Sequence, residues 1–198
     1  MAIFTATLSA SAAPEPPYYC SKKEASFRAV DLDTLLGPIR IALYDAFAPI
    51  TTENFVYYVR QGFYDNTLVH EVERRFVMQA GLYGSDFQEK KPLRPPIANE
   101  SSHGITHQAM RVAMWRGADP DSATSGFFIN LNDNPTLDIP QGYAVFGEVI
   151  EGSDHLLEMQ YQFLCHKTLE SRSHCRPILI HSAKLVDIPC ETQTEARS

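Results

Sequence analysis

Eight short runs of β-branched and aromatic residues, separated by turn signals, constrain this chain more than any other feature. They fall at Phe27–Leu32, Ile39–Tyr44, Thr67–Glu73, Phe76–Gly81, Arg111–Trp115, Gly126–Leu131, Tyr143–Ile150 and Ile178–Ile188. Where alternation is clear, as in Ile39, Ile41 and Leu43, one face of the strand is apolar. Gly37-Pro38 marks a turn between the first two runs, making them a hairpin. Two helical patterns interrupt the series. The first, from about Thr51 to Gln61, follows Pro49, takes Thr51 or Thr52 as its cap, buries Phe55, Val56 and Val59, and closes at Gly62. The second, from about Ser153 to Leu164, places Leu156, Leu157, Tyr161 and Leu164 on one side. Eight short strands would expose many edges unless the sheet closed on itself. The pattern therefore predicts a mainly β fold, a closed eight-stranded antiparallel barrel capped by two α-helices.

One domain accounts for the length. The 198 residues bury an adequate core without metal or disulfide help. We expect a lead-in over residues 1–24, the domain over 25–190 and a polar tail over 191–198. The segment from Leu82 to His107 is rich in Pro, Gly, Ser and charge and reads as long loops. A net charge of −7 repels a phosphate backbone, and Arg74-Arg75 and Lys90-Lys91 are only pairs, so nucleic acid is not an expected partner. No apolar run is long enough to span a bilayer. The small, uncharged residues of Met1 to Ala13 look like the tail of a secretory signal, although the basic n-region is missing. The four cysteines, Cys20, Cys165, Cys175 and Cys190, fit either two disulfides in an oxidising compartment or four reduced thiols. Cys165-His166 with His174-Cys175, and Glu100 with His103 and His107, are the candidate metal ligands. Neither set has the spacing of a common motif, and no metal or cofactor is expected.

Five stretches in order carry a resemblance. They are Pro49-Ile50-Thr51-Thr52-Glu53-Asn54-Phe55, Gly62-Phe63-Tyr64-Asp65-Asn66-Thr67, Phe76-Val77-Met78-Gln79-Ala80-Gly81, residues 118–130 from Ala118 to Asn130, and Gly142-Tyr143-Ala144-Val145-Phe146-Gly147. Together they resemble the cyclophilin family, in particular its compact bacterial branch, over roughly residues 26–188. The resemblance implies a peptidyl-prolyl cis-trans isomerase acting on Xaa-Pro segments of client proteins. It implies Phe76 and Phe128 as the aromatic floor of a proline pocket, Leu137 as its aliphatic wall, and Gln79 as the amide that positions substrate. Val77, Trp115, Arg116, Tyr143 and His70 complete the implied substrate-binding set.

The departures matter as much. The family's catalytic arginine falls at Glu71, and a carboxylate has no donor to offer the prolyl nitrogen. Thr136 stands where the family has an indole or phenyl ring, Gly126 where it has glutamine, and Trp115 where it has alanine. Trp115 could refill the space that Thr136 vacates. Arg74, Arg75 and Arg116 are the cations that could replace the missing arginine. Reduced isomerase activity is therefore expected, with a non-catalytic proline-peptide or partner-binding module as the alternative. Weak cyclosporin binding and a monomeric state are expected too. In such a barrel the first and last strands are neighbours, which implies a Cys20–Cys190 bridge, and Cys165 and Cys175, with nine residues between them after the second helix, are close enough for a second bridge. A periplasmic or secreted location follows, with the cytoplasm as the alternative.

Overall fold

The computed structural model describes residues 26–161 and 177–190. Eight strands close into a barrel: β1 (Ser26–Thr34), β2 (Gly37–Leu43), β3 (Thr67–Val72), β4 (Val77–Gly84), β5 (Arg111–Met114), β6 (Phe127–Asn130), β7 (Val145–Glu151) and β8 (Leu179–Pro189). Their order around the barrel is β1-β2-β7-β5-β6-β4-β3-β8, and the paired neighbours run antiparallel. Two helices complete it, α1 (Pro49–Arg60) and α2 (Ser153–Met159). The hairpin turn is one step earlier than the sequence suggests. Thr34 pairs with Gly37, so Leu35 and Leu36 form the loop and Gly37-Pro38 already belongs to β2. Gly37 is required for a different reason: a Cβ there would sit 2.5 Å from the His155 ring of α2, and its φ is +134°.

Strand alternation sorts the side chains into two apolar sets. Val30, Leu32, Ile39, Ile41, Met78, Val112, Ile129 and Phe146 share one core with Phe55, Val56 and Val59 of α1 and Leu156 and Met159 of α2. Phe55 is its aromatic centre, with ring centroids 5.1 Å from Tyr64, 5.3 Å from Phe127 and 4.9 Å from Phe146. Each such pair adds about 0.5–1.5 kcal/mol beyond area burial. The other set, on the opposite face of the strands, includes Val77, Ala113, Phe128 and Val145.

The helix ends differ from expectation. Ala48 is the N-cap of α1 and supplies no side-chain bond; neither Thr51 nor Thr52 caps it. The Glu100 carboxylate does so from a remote loop, accepting from Ile50 N (3.1 Å), Thr51 N (2.7 Å) and Thr51 Oγ1 (2.6 Å). Its charge also suits the positive end of the helix. Gly62 closes α1 as expected, with φ +63° and its N–H 3.0 Å from Val59 O. On α2 the buried residues are Leu156 and Met159, whereas Leu157 and Tyr161 are exposed. Leu164 lies outside the described residues.

Candidate functional site

The pairing register lays four residues in one row across four strands. Ala113 of β5 faces Phe128 of β6, Phe128 faces Gln79 of β4, and Gln79 faces Glu71 of β3. Phe76, Trp115, Leu137 and Tyr143 are half-buried and pack on the cluster formed by Val77, Ala113 and Phe128. Six of the apolar and aromatic residues singled out from the sequence (Phe76, Val77, Trp115, Phe128, Leu137 and Tyr143) thus share one face of the barrel. Gln79 and Glu71, both half-exposed, stand beside them. His70 precedes Glu71 on β3, its ring centroid 4.9 Å from that of Tyr83.

Supports beneath this face hold its rings. Phe128 stacks on His107 at 5.9 Å with planes 12° apart, and meets Tyr143 edge-on at 5.3 Å. Asp138 accepts from both Nδ1 and the backbone N of His107, each at 2.8 Å. That clamp fastens the loop carrying Leu137, which ends a 3-10 turn at Pro135–Leu137. The amide of Asn134, a buried residue, donates to Phe76 O and to Asn130 Oδ1, both at 2.9 Å, and Asn134 N donates to His107 O at 2.7 Å. The sequence reading offers His107 only as a metal ligand and does not single out Asn134 or Asp138. The Asn130…Asn134 spacing just after the Phe127-Phe128 strand was the available signal.

Two of the three alternative cations, Arg74 and Arg116, are engaged through their guanidinium groups, and Arg75 is held through its backbone. Arg74 donates through Nε to Gln160 O (2.9 Å) and lies over the Tyr161 ring, while Arg75 N donates to Gln160 Oε1 (3.2 Å). Both therefore brace the β3–β4 turn against the end of α2. Arg75 takes φ +59° there, a left-handed position that favours glycine. Arg116 remains at the candidate site, its guanidinium 4.9 Å from the Tyr143 ring centroid. It donates to Gly142 O (3.0 Å), Gly117 O (2.9 Å) and Gln141 O. Placing it beside Gln79 would cost these bonds. Thr136 is exposed and brings no ring to the face.

The residues weighed as metal ligands have other duties. Glu100 caps α1, as described. His103 Nε2 donates to Val145 O at 2.8 Å while its Nδ1 accepts from Ile105 N at 3.0 Å, a pattern that the neutral ring satisfies. Burial pushes the His103 and His107 imidazoles below their ordinary value, and for His107 the Asp138 carboxylate opposes this. Among the described residues no three His, Cys, Asp or Glu side chains are grouped to hold an ion. Cys165, His166, His174 and Cys175 lie outside them.

The described residues thus combine a closed barrel, an apolar aromatic face and one amide in register with it. The family model described as cyclophilin type peptidyl-prolyl cis-trans isomerase/CLD matches residues 29–185, and the chain belongs to that family. It is similar to peptidyl-prolyl cis-trans isomerase cyp18 of Streptomyces antibioticus, 42% identical over 167 residues, which cover 79% of this chain and 98% of that protein. It is also similar to peptidyl-prolyl cis-trans isomerase A of Dickeya dadantii, 40% identical over 162 residues, covering 78% and 83%. Among solved structures, a Cryptosporidium parvum cyclophilin type peptidyl-prolyl cis-trans isomerase shares the fold with a TM-score of 0.69 at 23% identity, covering 82% of this chain and 99% of that one. The same protein in the presence of the dipeptide Ala-Pro gives a TM-score of 0.67 at 21% identity, covering 80% and 98%. No helix of the described residues is long and apolar enough to cross a membrane.

Proposed function

We propose that this cyclophilin-type isomerase turns over Xaa-Pro segments of client proteins at the face built by Phe76, Phe128, Leu137 and Gln79, with an efficiency lowered by Glu71. The peptide bond before proline resists rotation by about 18–20 kcal/mol because of its partial double-bond character. A catalyst of that rotation needs no nucleophile. It needs an apolar seat for the pyrrolidine ring, donors for the flanking carbonyls, and a hydrogen bond that favours a pyramidal prolyl nitrogen. Phe76, Phe128 and Leu137 offer the seat, and the Gln79 amide supplies a donor beside it. The single observation that carries the reading is the row Phe128–Gln79–Glu71 set by the register. The same row puts a carboxylate where the resemblance implies a guanidinium, so the hydrogen bond to the prolyl nitrogen lacks its charged donor. Weak cyclosporin binding belongs to the same proposal, since Thr136 carries no indole. So does a monomeric state.

A protease-coupled isomerisation assay on wild type and Glu71→Arg tests this. Losing a positioned transition-state donor typically costs about 10²–10³ in rate, so the substitution should raise kcat/KM by a good part of that factor. No gain, with wild type already as fast as arginine-bearing relatives, would show that another group supplies the donor. Binding of Xaa-Pro peptides with no turnover by either protein would instead support the non-catalytic module that Glu71 also suggests.

A further inference from the structure

One residue pair beside the proline seat is matched in shape, and the register explains it. Phe128 and Phe127 of β6 face Ala113 and Met114 of β5, so the next facing pair is Gly126 and Trp115, joined by a Trp115 N–H to Gly126 O bond of 2.9 Å. A Cβ on Gly126 would fall 2.9 Å from Leu82 Cδ2, 3.1 Å from Leu82 Cγ and 3.3 Å from Trp115 Cβ. Leu82 and Trp115 therefore close over the glycine from two sides, and a larger residue there would require the Leu82 side chain to shift. The glycine and the tryptophan are two halves of one substitution: the space of a long polar side chain is exchanged for an apolar surface. Trp115 is half-buried in the Phe128 cluster, and Leu82 is half-buried beside it, so both keep part of their apolar surface open to solvent.

The position of this surface along the strands sets what can reach it. Gly126 lies two residues from Phe128, which is about 7 Å at strand rise. An extended peptide seated with its proline on Phe128 advances about 3.3–3.6 Å per residue, so a residue next to the proline or one further reaches Trp115 and Leu82. The polar groups of the seat, Gln79 and Glu71, lie in the row of Phe128 itself, on β4 and β3, whereas Leu82 lies three residues further along β4.

We propose that Trp115 and Leu82, over the floor of Gly126, form a specificity platform that selects proline segments carrying an aromatic or large aliphatic residue close to the proline. This rests on the proline-seat reading and names the substrate class of that seat. Trp115 is the only tryptophan in the chain, so its emission reports occupancy of the platform directly.

The test uses short Xaa-Pro peptides in which Phe, Leu, Ala or Glu is placed in turn at the two positions on either side of proline. Binding is read by Trp115 emission and by calorimetry, and turnover by the coupled assay. At one of these positions Phe and Leu should bind about tenfold more tightly than Ala, as partial burial of one such side chain allows, and Glu more weakly than Ala. Trp115→Ala and Leu82→Ala, each read by calorimetry, should bring the Phe-to-Ala ratio near one. Trp115→Phe, which keeps an aromatic surface, should retain most of it. A ratio below twofold at every position, or one that survives both alanine substitutions, overturns the platform. Absence of binding by any proline peptide overturns the proline seat itself, whereas a preference seen in binding without turnover supports the platform and removes only the isomerase step.

Discussion

Two imidazoles under the candidate site set a stability limit that can be reasoned from single atoms. Neutral His103 satisfies both ring nitrogens, donating from Nε2 to Val145 O and accepting at Nδ1 from Ile105 N. Protonating Nδ1 turns that acceptor into a second donor and breaks the bond from Ile105. His107 is 3% exposed, and its Nε2 has no hydrogen-bond partner among the described residues, so a proton there would be buried without an acceptor from them. Burial lowers both groups, with Glu100 opposing it for His103 and Asp138 for His107, and with Arg111 adding to the lowering at His107. The unfolded chain then binds protons first as pH falls below the ordinary histidine value of about 6.5. Stability is thus fully present above that pH and is lost as pH drops towards the lowered folded values, by at most about 1.4 kcal/mol per pH unit for each ring. Urea unfolding at pH 7.5 and 5.5 should show a lower midpoint at 5.5, and the loss should shrink in His103→Gln and His107→Asn variants. An equal loss in wild type and both variants would assign the acid sensitivity to other groups.

The elements were legible in proportion to how local their causes are. β5 and β6 stand within one residue of their expected bounds because β-branched and aromatic runs stop at turn residues, and Gly62 ends α1 as its left-handed geometry demands. The N-terminus of α1 was misread because its cap comes from Glu100, fifty residues away in sequence from Ile50. The stripe on α2 was misread because Met159, not Leu157, turns inward. Within the site, Phe76, Phe128 and Gln79 could be found from motif spacing, whereas the fit of Gly126 to Trp115 and Leu82 depends on β5–β6 register and on a neighbouring strand. The remote cap makes an expectation of its own. Glu100→Ala should leave the N–H groups of Ile50 and Thr51 without their carboxylate, costing about 1–2 kcal/mol by comparison with lost N-caps. Glu100→Gln, which keeps one acceptor oxygen, should cost less. Denaturant midpoints for the two variants measure this, and an unchanged midpoint for Glu100→Ala would mean that water or another side chain replaces the cap fully.

Across the whole molecule, barrel closure brings the two ends of the domain together. β1 pairs with β8 in a register that sets Ser26 against Pro189 and Phe27 against Ile188. Cys190 follows Pro189 directly, at the end of β8 that pairs with Ser26, and Cys20 precedes Ser26 by six residues in the sequence. Cys20, Cys165 and Cys175 lie outside the described residues, and the pairings Cys20–Cys190 and Cys165–Cys175 are proposals that this adjacency makes reasonable for the first. A Cys20–Cys190 bridge would close a loop of about 170 residues and, by the chain-entropy relation, contribute up to roughly 5 kcal/mol less any strain. A bridge of that kind persists only in an oxidising compartment, which ties the proposal to a periplasmic or secreted location. Mass mapping of unreduced tryptic peptides from protein exported to such a compartment should recover Cys20 linked to Cys190 and Cys165 linked to Cys175. Reduction should then lower the thermal midpoint by several degrees. Recovery of all four cysteines as free, alkylatable thiols from that material would exclude both bridges and leave four reduced thiols in a cytoplasmic protein as the reading.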